Sequence, residues 1–315
     1  MKVRCAVVGV GYLGRFHAQK YQLLEDAELV GVCDASADRA REVAQELKVA
    51  AFSDYRDLIG QVDAVTIAST TRTHFELAKF FLEHGVHVNV EKPMTVTIDE
   101  GEELVRLAKQ KNLKLQVGHV ERFNSALQSA QSKLGKPLFI ECHRLAPFKP
   151  RGVDVDVVLD LMIHDLDVIL SLVKSPVKSV SAVGTPVLTK LVDIANARIE
   201  FESGTIANVT ASRVSVSSTR KFRVFQQPQY LSIDFGSGEV NLTTKTGEWV
   251  DDQVPLSFEN WNLEKGDALL EETRAFVRSV KSDEPVVVSG EDGLVALRLA
   301  IEIQKDIEKR LEKFQ

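Results

Sequence analysis

The stretch Val3-Arg-Cys-Ala-Val-Val-Gly-Val-Gly-Tyr-Leu-Gly14 decides the fold, because an apolar run passes directly into glycines in the pattern Gly-x-Gly-x-x-Gly. Residues 2–9 have the composition of a buried parallel strand, and Tyr12 to Leu24 follow as a helix. A glycine turn at this junction lets the backbone approach a pyrophosphate, with the amides of the helix start facing the phosphates. The residues that we predict to bind a dinucleotide here are Gly9, Gly11, Tyr12, Leu13 and Gly14.

Strands and helices alternate through the first third of the chain. Strand-like runs lie at 28–34, 63–69, 86–90 and 114–117, and helical patterns lie at 37–47, 73–83 and 98–111. Strands alternating with helices of ten or more residues are typical of βαβ units in a doubly wound parallel sheet. The fold class is therefore α/β at the start, and residues 1–118 are predicted to form a dinucleotide-binding Rossmann domain.

The pattern changes after Gly118. Helices are expected at 125–133, 157–172, 263–279 and 291–314, and strands at 138–145, 179–183, 194–201, 205–214, 222–226 and 231–235. Consecutive strands joined by short turns favour a large, mostly antiparallel sheet with helices on one face. We predict that 119–315 form an α+β domain for substrate binding and oligomerisation, with the last helix packing back toward the first domain.

Composition narrows the function classes. The formal net charge of −6 over 315 residues argues against a general nucleic-acid surface. Three scattered cysteines do not make a disulfide framework or a metal knuckle, so no metal site is expected. No apolar run reaches the ~18–20 residues of a membrane span. We expect a cytoplasmic protein without a membrane partner.

Asp34 lies twenty residues after Gly14, at the end of the second predicted strand. An acidic side chain there accepts hydrogen bonds from ribose hydroxyls and repels a 2′-phosphate, which favours NAD over NADP. Arg39 and Arg41 lie nearby and fit a solvated helix face, so NADP stays open as the alternative.

Two further segments carry groups that handle protons, Glu91-Lys92-Pro93 and Asp160-x-x-x-His164-x-x-Asp167. A lysine at the carboxyl end of a parallel strand points into the cofactor crevice, where its charge stabilises a developing alkoxide. Histidine titrates near neutrality and suits the removal of a hydroxyl proton. The spacing of the second segment predicts Asp160, His164 and Asp167 on one helix face, although Asp165 and Asp167 also fit plain polar helix residues.

With these motifs the chain resembles the glucose–fructose oxidoreductase/inositol dehydrogenase (Gfo/Idh/MocA) family over nearly its whole length. The matching segments are the glycine turn, Ser69-Thr70 followed by His74, Glu91-Lys92-Pro93, Asp160-x-x-x-His164 and the closing Gly290-Glu-Asp-Gly-Leu-Val-Ala-Leu297. One departure is Met162, where the family often has glycine.

The resemblance implies an NAD-dependent dehydrogenase acting on CH–OH groups. It places Lys92 beside the nicotinamide and the reacting hydroxyl, makes His164 the acid/base, and lets Asp160 orient substrate or histidine. The resemblance also implies that the cofactor is bound by Ser69, Thr70, His74, Glu91 and Lys92.

Residues 117–124 and 151–165 are similar to a narrower branch, dehydrogenases that oxidise the 3-hydroxyl of UDP-N-acetylglucosamine or of its uronic acid. In those pathways the 3-keto sugar is aminated on the way to lipid A or O-antigen. Arg122, Lys149 and Arg151 are the nearest phosphate donors, and Asn124 is a candidate for sugar hydroxyls or the acetamido group. No additional cation for a uronate carboxylate stands out, which favours the neutral sugar. The predicted substrate-binding residues are Lys92, Arg122, Asn124, Arg151, Asp160 and His164.

Three rival interpretations differ in the residues that they require. A short-chain dehydrogenase requires Tyr-x-x-x-Lys, which none of the four tyrosines provides. An inositol or free-sugar dehydrogenase of the same family stays open. A non-catalytic NAD-dependent sensor predicts loss of Lys92, Asp160 or His164, and all three are present.

Two further expectations concern surfaces and the remaining histidines. Apolar strand residues Val209, Val214, Val224 and Phe225 suggest a homodimer or homotetramer formed through the second-domain sheet. His17, His84, His87 and His143 fit surface or core positions, and the role of His119 stays open.

Overall fold

The computed structural model describes residues 1–149, 155–250, 252–263 and 266–314. The chain divides into two compact units, Met1–Val120 with Asp267–Leu297, and Glu121–Gly266 with Arg298–Gln315. The last helix begins in the first unit and ends in the second. Among the described residues, no helix has both the length and the apolar character to cross a membrane.

The first unit contains a six-stranded parallel sheet in the order β3-β2-β1-β4-β5-β6, which confirms the predicted doubly wound class. Its strands are β1 (Val3–Val8), β2 (Ala27–Cys33), β3 (Ala50–Phe52), β4 (Ala64–Ile67), β5 (His87–Glu91) and β6 (Leu115–Gly118). Its helices are α1 (Tyr12–Gln22), α2 (Ala37–Leu47), α3 (Thr71–Glu83) and α4 (Ile98–Lys111). The strand order reverses between β1 and β4, and such a switch point opens a ligand crevice beyond the carboxyl ends of the strands.

A later helix completes this unit. Helix α7 (Ala268–Ser282) contributes Phe276 and Val277 to the apolar cluster that includes Cys5 of β1 and Tyr21 of α1. Its first residues follow Asp267, whose carboxylate accepts the N–H of Leu270 and caps the helix. Helix formation was expected from 263, but the structure starts it five residues later.

The second unit is built on an eight-stranded sheet in the order β14-β13-β12-β11-β7-β10-β9-β8. Only β7 and β10 pair in parallel among its named strands, so the expected mostly antiparallel α+β architecture is confirmed. The strands are β7 (Phe139–Leu145), β8 (Val177–Thr185), β9 (Ile194–Phe201), β10 (Ile206–Ser212), β11 (Thr219–Gln226), β12 (Gln229–Asp234), β13 (Glu239–Lys245) and β14 (Leu256–Asn262).

Three helices complete the second unit or enter it. Helix α5 (Ser125–Ala130) is followed by a 3-10 turn, Gln131–Lys133. The continuous helix expected at 157–172 is instead a π-helical turn, Val158–Met162, followed by α6 (Ile163–Leu172). Helix α8 (Gly290–Leu311) begins where Ser289 and Asp292 exchange hydrogen bonds and so cap the helix.

Candidate active site

The glycine loop follows β1 and opens α1 as predicted. Gly9 has φ +86°, and a Cβ there would lie 2.6 Å from the backbone of Ser69. A Cβ on Gly14 would lie 1.8 Å from the carbonyl oxygen of Gly9, so both positions exclude side chains for packing reasons. A Cβ on Gly11 would meet nothing within 4 Å. The open backbone at Gly11 therefore fits the close approach of a dinucleotide pyrophosphate.

Asp34 ties the glycine loop to the end of β2. Its Oδ2 accepts the N–H of Val10 at 3.0 Å, and its Oδ1 accepts the N–H of Ser36 at 2.9 Å. The residue is 8% exposed, and the Arg39 guanidinium lies 3.7 Å from Oδ1. Each carboxylate oxygen has a second acceptor site, so Asp34 suits a ribose hydroxyl while it holds the loop.

The first residues of α1 face solvent at this end of the sheet. Tyr12 is 63% exposed and Leu13 is 47% exposed, unusual for large apolar side chains next to a buried strand. They flank the open side of the glycine loop, where contact with a bound dinucleotide would cover them. Their cofactor role stays a prediction.

The segment after β4 supplies Ser69 and Thr70, and the first turn of α3 supplies His74. Thr70 precedes the first turn of α3, and the hydroxyl of Ser69 lies 2.7 Å from that of Thr73. His74 is buried, with Nδ1 3.0 Å from the carbonyl oxygen of Pro93 and Nε2 3.2 Å from that of Ser69. Burial lowers the pKa of His74. His74 thus links the ends of β4 and β5, and its contacts are internal.

Glu91 is the last residue of β5, and Lys92 and the cis-bonded Pro93 follow it. One carboxylate oxygen of Glu91 accepts the N–H of Lys92 at 3.2 Å. The other lies 2.8 Å from Nε2 of His17, a residue of α1. Lys92 is partly exposed at the carboxyl end of its strand, where the sequence predicted it. The first unit therefore places the glycine loop, Asp34, Ser69 and Lys92 at the carboxyl ends of β1, β2, β4 and β5.

Asp160 and His164 lie on one segment of the second unit. Asp160 lies in the π-helical turn, His164 in the first turn of α6, and both are partly exposed. Asp160 lies before the regular helix, whereas His164 and Asp167 keep the i, i+3 spacing of α6, so the common face of all three stays a prediction.

The two aspartates after His164 are buried in ion pairs. Asp165 receives Nε and Nη2 of Arg144 at 2.8 and 2.9 Å, and Glu121 receives Nη1 of Arg144 at 2.7 Å. Burial alone would lower the pKa of Arg144, but Asp165 and Glu121 outweigh it and raise the pKa. Asp165 is therefore a buried helix residue whose carboxylate fixes α6 against β7.

Arg122 and Asn124, predicted to bind substrate, also have partners within the second unit. Arg122 donates to both oxygens of Asp167, at 2.7 and 3.3 Å. Asn124 accepts the N–H of Ala126 as the cap of α5, and its amide group donates to Glu121 and to the carbonyl oxygen of Phe235. Arg122 therefore ties the segment before α5 to α6, and Asn124 ties the same segment to Phe235, just after β12.

Three other residues considered in the sequence are Lys149, Arg151 and His119. Arg151 lies outside the described residues, and Lys149, the last described residue before it, is exposed. His119 is buried just after β6. Among the described residues, no cluster of histidine, cysteine or acidic side chains has the arrangement of a metal site.

Sequence reasoning missed Glu121, Arg144 and His17. A signal for Arg144 existed, because strand alternation places it on the same face as the buried Ile140 and Cys142. An inward-facing arginine requires a buried acid, and Asp165 meets that need.

Comparison with known proteins agrees with this architecture. Residues 3–119 match an oxidoreductase family with an NAD-binding Rossmann fold, and residues 128–227 match the C-terminal domain of the Gfo/Idh/MocA proteins. UDP-N-acetylglucosamine 3-dehydrogenase of Acidithiobacillus ferrooxidans is 39% identical over 99% of both chains. The solved structure of that enzyme superposes with a TM-score of 0.91, covering 98% of this chain and 99% of the other.

More distant relatives act on inositols. Myo-inositol 2-dehydrogenase of Thermotoga maritima is 29% identical over 98% of this chain and 97% of its own. Scyllo-inositol dehydrogenase of Lactobacillus casei, solved with NAD(H) and scyllo-inositol, shares the fold with a TM-score of 0.82 at 24% identity, covering 98% of both chains. The chain is thus an oxidoreductase of the Gfo/Idh/MocA family with its NAD-binding Rossmann domain, as its motifs indicated.

Proposed function

We propose that this protein oxidises the 3-hydroxyl of UDP-N-acetylglucosamine to a 3-keto sugar with NAD as the oxidant. The observation that carries this proposal is the 39% identity to a UDP-N-acetylglucosamine 3-dehydrogenase over 99% of both chains. The retention of Lys92, Asp160 and His164 supports catalysis rather than an NAD-dependent sensor.

The proposed chemistry assigns one task to each residue. The nicotinamide, when bound, supplies the hydride acceptor. Lys92 places its ammonium group by the carbinol oxygen and stabilises negative charge there. A ring nitrogen of His164 takes the hydroxyl proton, and Asp160 orients the sugar or the imidazole. Arg122, Asn124 and Arg151 remain the proposed donors to the sugar nucleotide.

The product suggests a biosynthetic role. A 3-keto sugar nucleotide is a substrate for an aminotransferase. We therefore propose that this protein acts directly before amination in lipid A or O-antigen synthesis, and that it does so in the cytoplasm. The first alternative substrate is UDP-N-acetylglucosaminuronate. The second is an inositol or a free sugar, which the relationship to myo-inositol 2-dehydrogenase supports.

A substrate panel tests this assignment. We expect UDP-N-acetylglucosamine to give a kcat/KM for NADH formation at least ~10²-fold above that for myo- or scyllo-inositol, because polar groups built for one substrate stay unpaired with another. A higher value for UDP-N-acetylglucosaminuronate or an inositol would move the assignment to that substrate. NADH formation from none of them would support the sensor.

The cofactor preference depends on Asp34. Changing Asp34→Asn keeps one oxygen for the Val10 or Ser36 amide but removes the charge that disfavours a 2′-phosphate. We expect the ratio of kcat/KM for NAD to that for NADP to fall by at least ~10-fold, the size of a lost charge-assisted hydrogen bond. Asp38→Asn, an exposed change in α2, is the matched control. A wild-type protein that works better with NADP would overturn the assignment.

The expected contact residues for oligomerisation need correction. Val209 and Val224 are buried within the chain, so they require no partner. The opposite face of the sheet instead carries a cross-strand aromatic row, in which Phe225 lies 5.4 Å from Phe139 and 4.8 Å from Tyr230 between ring centroids. Tyr230 is aligned with Thr243 of β13, and Thr243 is aligned with Phe258 of β14. Phe258 is 73% exposed.

We propose that this aromatic row lies in a homodimer or homotetramer interface. Light scattering at micromolar concentration should give at least a dimer, and Phe258→Glu should shift the mass toward the monomer. Val216→Glu, a change at a fully exposed valine away from the row, should leave the mass unchanged. A monomeric wild-type protein would contradict this proposal.

A further inference from the structure

His17 connects the helix of the cofactor loop to the turn that carries Lys92. It lies on α1, whose first turn follows the glycine loop, and it is 0% exposed. Its Nε2 donates to Oε1 of Glu91 at 2.8 Å, and Oε2 of Glu91 accepts the N–H of Lys92 at 3.2 Å. One carboxylate thus joins a buried imidazole to the backbone of Lys92.

The charges of this contact reinforce each other. Burial alone would lower the pKa of His17, but the hydrogen bond and charge of Glu91 outweigh it and raise the pKa. Burial acts to raise the pKa of Glu91, and His17 outweighs it and lowers the pKa. His17 and Glu91 thus shift each other toward their charged forms, and a hydrogen bond to a carboxylate belongs to the stronger class.

A second buried acid lies close to the pair without displacing it. Glu272 of α7 is 0% exposed, and its Oε1 accepts the side-chain N–H of Asn89 at 3.4 Å. Burial, with the nearby charge of Glu91, raises the pKa of Glu272 to about 8, although His17 opposes the shift. The hydrogen-bond geometry makes Glu91 the carboxylate that pairs with His17, while the side-chain partner of Glu272 is Asn89.

The packing around Glu91 leaves it little freedom. Gly118 is its partner across β5 and β6, and a Cβ on Gly118 would lie 3.1 Å from Oε2 of Glu91. On the other side of Lys92, His74 lies 3.0 Å from the carbonyl oxygen of Pro93. The turn is therefore held on both sides of Lys92 by buried side chains.

We propose that His17 is a positioning residue for Lys92, acting through Glu91 rather than by contact with substrate or cofactor. The contact fixes the main chain at Lys92 to the helix that opens the dinucleotide site. The proposal rests on the proposed function in one respect, that the ammonium of Lys92 meets the reacting hydroxyl. Displacement of a reacting group by about 1 Å costs on the order of 10²-fold in rate, so a fixed turn matters for turnover.

Kinetics of two substitutions give the first test. His17→Leu removes the donor, whereas His17→Gln keeps an N–H where Nε2 lies. We expect the leucine variant to lose at least ~10-fold in kcat with a nearly unchanged KM for the sugar, and the glutamine variant to recover most of it. His87→Leu is the matched control, because it alters a histidine hydrogen bond at the opposite end of β5. Equal losses in kcat for His17→Leu and His87→Leu would overturn the proposal.

Chemical labelling tests the same idea without any sugar. Lys92 in the full-length protein is acetylated with acetic anhydride, and its rate is measured by peptide mass spectrometry relative to that of the exposed Lys109. We expect this relative rate to change several-fold in His17→Leu and in Glu91→Gln, and to stay near wild type in His17→Gln and His87→Leu. Because no substrate is involved, a failed sugar assignment does not affect this result.

The two residues should also behave as a unit. Combining His17→Leu with Glu91→Gln should change the Lys92 labelling rate no more than either single substitution does. If His17→Leu does not fold, Glu91→Gln carries the test alone. An unchanged labelling rate of Lys92 in a folded His17→Leu or Glu91→Gln protein would overturn the proposal.

Discussion

Replacing Lys92 by methionine lowers kcat for sugar oxidation at least ~10²-fold while NAD still binds. Methionine keeps most of the side-chain length but removes the charge that stabilises the oxygen of the reacting carbinol. The binding of NAD should survive, because the glycine loop and Asp34 lie at other strand ends of the same sheet. The measurement is steady-state NADH formation together with calorimetric titration of NAD.

A matched substitution separates this effect from a general loss of charge. Lys109→Met removes an exposed lysine of α4 and should leave both kcat and NAD affinity unchanged. Lys92→Arg keeps the charge but offers a larger planar group, so we expect it to remain well below wild type. Near-normal turnover in Lys92→Met would remove this residue from the chemistry.

Replacing His164 by glutamine lowers kcat to a similar extent, at least ~10²-fold, because the hydroxyl proton loses its acceptor. The pH dependence should change as well. A histidine base is inactive when protonated, which gives kcat an acidic limb, and that limb should disappear in the residual activity of the variant. The measurement is kcat as a function of pH for the wild type and the variant.

The control for this substitution lies in the same unit. His143→Gln changes a partly exposed histidine of β7, directly before Arg144 in the chain, and should leave the pH profile unaltered. Loss of activity in His164→Gln with an intact acidic limb would mean that another group accepts the proton. Asp160 would then be the first residue to examine.

The regular parts of the fold follow from sequence because they obey simple periodicities. The strand from Val3 to Val8 and the glycine turn after it are local patterns, and each contains its own signal. Strand β3 was missed because its three residues, Ala50–Phe52, make too short a run for an alternation signal. Strands β13 and β14 were missed for a different reason, since most of their residues are polar and β14 is the exposed edge strand of its sheet.

The sequence predicted the position of a site residue only where its residue type and its place at a strand end define it. Gly11, Asp34 and Lys92 belong to that class, because a strand end and its chemistry define each of them. The π-helical turn at Val158–Met162 has no periodic signature, so the segment before His164 was expected to be an ordinary helix. Ion pairs such as Arg144 with Asp165 join positions 21 residues apart, and only the tertiary fold selects such partners.

The most direct test of the central claim is the fate of the hydrogen at C3 of the sugar. UDP-N-acetylglucosamine carrying deuterium at C3 is incubated with the protein and NAD, and the resulting NADH is analysed by mass spectrometry. Oxidation of the 3-hydroxyl predicts NADH that carries the deuterium and a sugar product that has lost it. NADH without deuterium, or no NADH from this substrate, would contradict the proposed reaction.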